Sequence, residues 1–507
     1  MNSDTRTPDL RNRQAPLEIH GDEFRKLGHQ LVDDIAEFLD GLPRRPVTRG
    51  ESPQAIRKLL GSDSLPESGS PPDVLLDQTT KLLLDHSLFN AHPKFWGYIT
   101  GSGAPIGVLA DLLAATVNPN VGAAILSPVA SEIEAQTVRW IADLIGYPRT
   151  CGGLLVSGGN MANFVCFLAA RKAKVPWDLK TEGLSGGKQR VLVYVSKETH
   201  AWIEKAAELF GTGTQSIRWI ATNADQQMDV AALEQQIIAD RAENHLPFMV
   251  VGAAGTVSTG AIDPLPEIAA VCKKYDLWFH VDGAYGAPAA VLPDASADLL
   301  GLREADSIAL DPHKWLYSPL EAGCSLVRDP NHLLDTFSHH PVYYNFDGTD
   351  GDPPINYHEY GLQNSRGFRA LKVWLGLRHV GRDGYIQMIG DDIALAEALY
   401  IAVGRHPELE AVTHHLSITT FRFVPHVLPG DPPARESYLN DLNEELINRL
   451  QRSGEAFVSN ALVDGKYVLR ACIVNFRTTL SDVEALPEIV VRLGKQLDSE
   501  MRPKVGR

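Results

Sequence analysis

The stretch LWFHVDGAYG, residues 277–286, decides the fold. Its apolar run is too short for a helix and shows no polar alternation, so it reads as a strand covered on both faces, the condition of a parallel sheet. The same texture recurs in RVLVYVS (190–196), SIRWIA (216–221), FMVVGAAG (248–255), DSIALD (306–311) and GCSLVR (323–328). Helical patterns fit between them at Met161–Lys174, Ala201–Phe210, Val230–Arg241 and Leu265–Tyr275. Strands and helices in alternation predict an α/β fold with a mainly parallel sheet flanked by helices.

Outward from that core the texture changes. Phe24, Leu27, Leu31, Ile35, Phe38 and Leu39 recur at helical spacing and predict one amphipathic helix ending near Gly41. A Pro-, Ser- and Gly-rich stretch from Pro43 to Pro72 reads as an extended arm. Beyond Arg366 two long helical patterns lead to strand-like runs at Leu416–Phe423 and Tyr467–Asn475, which predict a smaller C-terminal α/β domain. The expected division is residues 1–91 for the N-terminal helix and arm, 92–385 for the large domain and 386–507 for the small one.

Bulk properties narrow the partners. A chain of 507 residues with 44% hydrophobic and 22% charged residues builds ample core, and its net charge of −16 repels phosphate backbones and anionic lipid. Neither nucleic acid nor membrane is expected as a partner. The five cysteines are odd in number and lack metal-ligand spacing, so they read as reduced thiols and no metal is expected. No apolar run approaches a membrane span and the first residues lack a signal-type apolar segment, so the expected compartment is the cytoplasm.

In a parallel α/β sheet ligands sit at the carboxyl ends of strands, so polar residues that end apolar runs are the first suspects. Asp282 ends one run and is followed by small residues that let a flat ring approach. DSIALD runs into Pro312, His313, Lys314 and Trp315, which brings an amine to the same edge. A lysine among apolar and aromatic groups is a candidate for Schiff-base chemistry, which needs the unprotonated amine. Ser157-Gly158-Gly159-Asn160 lies between an apolar run and a helix start, where bare backbone and free N–H groups can hold a phosphate. His200 follows the strand RVLVYVS and so joins the same edge. Each of these residues taken alone is more often a turn, a cap or a solvated side chain. It is their order and number that carry weight.

Together, HPKFWGYITG (92–101), LADLL (109–113), SPVASEIE (127–134), SGGNMANFVCFLAAR (157–171), THAWIEKA (199–206), AGTVSTGAIDP (254–264), HVDGAYG (280–286), DPHKW (311–315) and FRALKVW (368–374) resemble the group II pyridoxal-phosphate-dependent amino-acid decarboxylases, the family of aromatic-L-amino-acid and glutamate decarboxylases. The resemblance runs from about His92 to Lys372. It implies the fold type I, PLP-dependent transferase-like architecture, pyridoxal 5'-phosphate as cofactor, and a homodimer that exchanges its N-terminal helix and arm. By that resemblance Lys314 is the Schiff-base lysine, Asp282 keeps the pyridine nitrogen protonated and His200 stacks on the ring. Gly158, Gly159 and Asn160 cradle the phosphate, Ala284 packs beneath the ring, His313 lines the pocket and Thr256 bonds the ring substituents. Tyr343 matches a catalytic loop tyrosine, Ser365 and Arg366 reach the partner's site, and Trp96, Tyr98 and Ile99 contact the substrate side chain.

Two positions and one segment depart from the family pattern. Asp311 stands where many relatives have Asn, Val257 replaces a second threonine, and NPNVGAAILSP (118–128) lacks large aromatics. A carboxylate at Asp311 is compatible with a phosphate only if turned away from it or protonated. The expected reaction is decarboxylation of an L-amino acid to amine and CO2, aromatic side chains preferred. An acidic or diamino acid substrate, aldehyde synthesis and a catalytically inactive binding protein stay open as alternatives.

Overall fold

The computed structural model describes residues 15–61, 64–339, 354–428 and 431–502. The chain forms two compact units, Met1–Phe89 and Asn90–Arg507.

The first unit carries α1 (Gly21–Gly41), α2 (Pro53–Leu60) and α3 (Pro72–His86). Ser52 caps α2 by accepting from the Ala55 amide at 3.2 Å. The expected arm therefore contains a short helix where IRKLL supplies the apolar face. Phe38 of α1 meets Phe89 with ring centroids 5.1 Å apart, and the Arg45 guanidinium lies 5.2 Å from the Phe38 ring. Arg45 also donates to the Leu84 carbonyl at 2.8 Å, tying α3 to the turn after α1.

In chain order the second unit comprises β1 (Phe95–Trp96), α4 (Pro105–Val117), α5 (Pro128–Leu144), β2 (Gly152–Val156), α6 (Gly159–Lys174), α7 (Leu179–Glu182), β3 (Val191–Ser196) and α8 (Trp202–Leu209). β4 (Ile217–Ile220), α9 (Val230–Ala242), β5 (Leu246–Ala253), α10 (Leu265–Lys274), β6 (Trp278–Asp282), β7 (Ser307–Leu310), β8 (Gly323–Val327) and α11 (Asn331–Phe337) follow. The last elements are α12 (Ala370–Arg405), β9 (Leu409–His415), β10 (Ile418–Phe423), α13 (Pro432–Ser453), β11 (Phe457–Val463), β12 (Lys466–Cys472) and α14 (Leu480–Met501).

Among the described residues the larger sheet has seven strands in the order β2-β8-β7-β6-β5-β3-β4. Only β8 is antiparallel to its neighbours, so β2, β3, β4, β5, β6 and β7 all point their carboxyl ends the same way. The lack of polar alternation has its expected cause. In β3, Val191, Val193 and Val195 enter the core shared with α6 and α8, while Leu192 and Tyr194 enter the core shared with α5, α9 and α10. Both faces are buried, as helices on both sides of a parallel sheet require.

The second sheet runs β1-β11-β12-β10-β9 and is antiparallel except for β1, which pairs parallel with β11 through Phe95↔Phe457 and Trp96↔Val458. α12, α13 and α14 cover it around Leu399, Leu446 and Val490. α12 runs across the boundary expected between 385 and 386 and is kinked at Gly381, whose φ is +63°.

Candidate active site

Strand ends build the site. Ser157 follows β2, His200 follows β3, Thr256 follows β5, Asp282 ends β6, and Asp311 and Lys314 follow β7. Because these strands are parallel, all six residues arrive at one edge and line one cavity of about 410 Å³. Gly158, Gly159, Asn160, Ala284, His313 and Ile99 line it as well. Lys314 and Asp282 therefore open on the same space.

Asp282 is held from two sides. Its Oδ2 accepts from the Trp202 indole Nε1 at 2.8 Å and its Oδ1 from the Ala284 amide at 3.2 Å. Behind it His280 is fully buried between Asn163 Oδ1, 2.7 Å away, and Ser307 Oγ, 2.9 Å away. Burial pushes the His280 pKa down to about 4, so it is a neutral hydrogen-bonding spacer at neutral pH.

His200 is exposed on the cavity side and its Nδ1 accepts from the Trp202 amide at 3.1 Å. Protein atoms crowded around the ring remove solvation and lower its pKa below the ordinary imidazole value, which favours the neutral ring. His313 is shifted the same way by burial, and its Nδ1 lies 2.7 Å from the Ala322 carbonyl. Thr256 is buried, with Oγ1 3.1 Å from Thr259 Oγ1.

Lys314 Nζ lies 3.0 Å from Asp311 Oδ2. Asp311 thus pairs with the lysine, but the same oxygen stands against Gly159, so the carboxylate is not turned away from the cradle. Its other oxygen, Oδ1, is buried and accepts no hydrogen bond among the described residues. A Cβ added at Gly159 would come within 2.6 Å of Asp311 Oδ2, and one at Gly323 within 2.5 Å of the Gly158 carbonyl carbon. Gly158 itself has φ +87°. The loop 157–160 is therefore a cradle of bare backbone at the start of α6, suited to an anion. From the opposite side Gly101 presses on the lysine turn, where an added Cβ would collide with the Lys314 carbonyl oxygen. Ala104 N donates to the Tyr317 carbonyl at 2.8 Å, and Ser102 N to that of Val474 at 3.3 Å.

Other expected residues lie elsewhere. Trp96 is buried in the core of the second sheet and its Nε1 donates to Thr478 Oγ1 at 3.1 Å, away from the cavity lining. Pairing of β1 with β11 forces that direction on the side chain. Tyr98 is exposed, lies near the Phe457 ring, and does not line the cavity either. Of the four residues expected at the substrate end, Ile99 and His313 line the cavity and Trp96 and Tyr98 do not. Ser365 is exposed. Arg366 is corrected: it is turned inward, pairs with the buried Glu134, donates to the carbonyls of Val121 at 2.8 Å and Leu155 at 2.6 Å, and so cannot extend outward. Tyr343 lies outside the described residues.

Sequence reasoning missed Trp202, Asn163, Glu198 and Glu321. Asn163 stands one helical turn after Gly159, and its Nδ2 donates to the Gly159 carbonyl at 3.0 Å; that spacing was the available signal. Nothing in the chain announced that Trp202 would reach a carboxylate 80 residues later.

A lysine amine, a fixed carboxylate and an anion cradle around one cavity define an enzyme that carries a phosphorylated ring cofactor on a lysine. The pyridoxal-dependent decarboxylase conserved domain matches residues 53–424, and the chain belongs to that family. Its cofactor is pyridoxal phosphate and it is a carboxy-lyase. It is 36% identical to an aromatic-L-amino-acid decarboxylase of Bacillus atrophaeus, over 92% of this chain and 94% of that one. It is 30% identical to tyrosine decarboxylase 3 of Petroselinum crispum, over 94% and 93% of the two chains. The fold superposes on the Oryza sativa TDC solved with PLP and tryptamine with a TM-score of 0.87 at 28% identity, covering 96% of this chain and 100% of that one.

Proposed function

We propose that the protein converts an aromatic L-amino acid to the corresponding amine and CO2. The observation that carries the reading is the opening of Lys314 and Asp282 on one cavity beside the 157–160 cradle, in a chain of this family. The relatives named above, which act on aromatic amino acids by their names, and the apolar Ile99, Val257 and Leu320 on the lining support the substrate class.

Pyridoxal phosphate, when bound, offers a carbonyl to amines and a protonated ring that accepts the electron pair left as the bond from Cα to the carboxylate breaks. The residues present suit it. Gly158, Gly159 and Asn160 hold the phosphate at the start of α6. Asp282 holds a proton at the ring nitrogen, and Trp202 and Ala284 fix both of its oxygens so that it cannot swing away. His200 offers a flat neutral face, Ala284 and Thr256 shape the ring's seat, and His313 borders the substrate end. Lys314 supplies the amine that carries the cofactor. Tyr343 delivers the proton that takes the place of CO2 on carbon.

The active form is a homodimer. Leu109, Leu112, Leu113 and Val117 on α4, and Ile125, Leu126 and Val129 farther along the chain, are all more than half exposed, apolar side chains that a second copy of the chain would cover. Ser365 is a contact across that pair. A cytoplasmic setting agrees with five free, buried thiols.

A panel of single amino acids with products identified by mass spectrometry tests the reading. Amines from tyrosine, tryptophan or phenylalanine are expected. CO2 release from glutamate or a diamino acid, with none from aromatic substrates, would overturn it. Sedimentation as a monomer at catalytic concentrations would overturn the dimer.

A further inference from the structure

Asp311 is almost wholly buried, at 2% exposure, yet only one of its oxygens is occupied. Oδ2 faces Lys314 Nζ at 3.0 Å and stands 3.9 Å from His313 Nε2. Oδ1 has no hydrogen-bond partner among the described residues. The carboxylate is placed by its backbone: Asp311 N donates to the Ala284 carbonyl at 3.1 Å, and Lys314 N to the Asp311 carbonyl at 2.9 Å. On its other side lies Gly159, so close that a methyl group there would come within 2.6 Å of Oδ2. One buried negative charge thus stands between the lysine amine and the anion cradle.

That position is unfavourable by itself. A lone buried carboxylate is costly, and beside a bound phosphate it repels the ligand as well. A lysine ammonium at 3.0 Å offsets part of the burial cost and cancels the net charge that the phosphate would meet.

We propose that Asp311 is a positioning residue that docks the Lys314 ammonium whenever that amine is not bonded to the cofactor, the pair together keeping the cradle hospitable to phosphate. The inference rests on the pyridoxal-phosphate reading and deepens it. The free lysine is parked against the strand end of β7 instead of wandering in the cavity, and the charge that would expel the phosphate is cancelled once the released amine takes up the proton given up by the incoming amino-acid ammonium. Cofactor retention between covalent states becomes a property of the pair rather than of the cradle alone.

The test is a double-substitution cycle read by binding, not turnover. Pyridoxamine 5'-phosphate, which forms no bond with lysine, is titrated into the full-length cofactor-free protein by calorimetry. Lys314→Ala leaves Asp311 uncompensated, and affinity is expected to fall about tenfold or more. Asp311→Asn in the Lys314→Ala background is expected to restore affinity to within about threefold of the starting protein, because the repelling charge is gone while the shape is kept. Asp311→Asn alone is expected to bind at least as tightly as the starting protein. A Lys314→Ala/Asp311→Asn protein that binds as weakly as Lys314→Ala would overturn the proposal. Absence of binding by the folded, unsubstituted protein would instead overturn the cofactor assignment beneath it.

Discussion

Replacing Trp202 with Phe takes one hydrogen bond from Asp282 and leaves most of its surroundings in place. The indole is fully buried, packs edge-on against His280 with centroids 5.9 Å apart, and is not itself part of the cavity lining. Its Nε1 donates to Asp282 Oδ2 at 2.8 Å, so the variant keeps an aromatic ring in the same packing but frees one carboxylate oxygen. A hydrogen bond to a charged acceptor contributes about 1.5–3 kcal/mol. If that orienting energy is expressed where the carboxylate must hold its proton, the turnover number falls about ten- to a hundredfold. KM is expected to stay within about threefold, because Trp202 does not touch the substrate's share of the cavity. The assay is steady-state amine formation from an aromatic amino acid, with cofactor occupancy read from the visible absorption of the same sample. A variant fully loaded with cofactor whose turnover lies within about twofold of the parent would refute the claim that Trp202 acts through Asp282.

Lys314→Ala is expected to abolish visible cofactor absorption in the protein band and amine production together; retention of full activity would remove the lysine from its role. Arg366→Ala leaves Glu134 as an unpaired buried charge and is expected to destabilise by about 3–5 kcal/mol, seen as a lower melting temperature that Glu134→Gln partly recovers. Burial raises the Asp392 pKa to about 7, with Trp315 Nε1 at 2.9 Å and Tyr317 OH at 2.7 Å on its Oδ2. The unfolded chain, with its carboxyl near the ordinary 3.8, releases this proton first as pH rises, so the group's contribution to stability declines from about pH 4 and levels off above about pH 7. Asp392→Asn should flatten that slope in melting curves taken between these limits, and an unchanged slope would contradict the assignment. Tyr343→Phe should shift product from amine toward aldehyde and ammonia, measured by mass spectrometry; an unaltered ratio would show that the loop tyrosine has been misplaced.

The central strands could be read because burial on both faces writes an unbroken apolar run into the chain, and a polar residue at its end can only be at the sheet edge. LWFHVD and DSIALD gave up Asp282 and Lys314 for that reason. β9 and β11 escaped notice on the opposite ground. LEAVTHH is half-buried along most of its length and FVSNALV alternates only in its second half, so neither carries a clear period. Trp96 and Tyr98 misled because nearness to Ile99 in the chain suggested one shared pocket. The register of β1 against β11 sends Trp96 to Thr478, and positive φ at Tyr98 turns the chain before Ile99 reaches the cavity. Trp202 and Asn163 were beyond reach because their value depends on partners from distant strands, which no local spacing encodes.

The short passage from Gly101 to Ala104 touches the backbone beyond β12 at Val474 and the backbone of the reactive turn at Lys314 and Tyr317. Neither sheet alone sets the address of the nucleophile; it is surveyed from both. Chimeras that graft a foreign C-terminal portion onto this chain would therefore misplace the amine without altering any side chain around it, and the seam, not the cavity, is where their repair should begin.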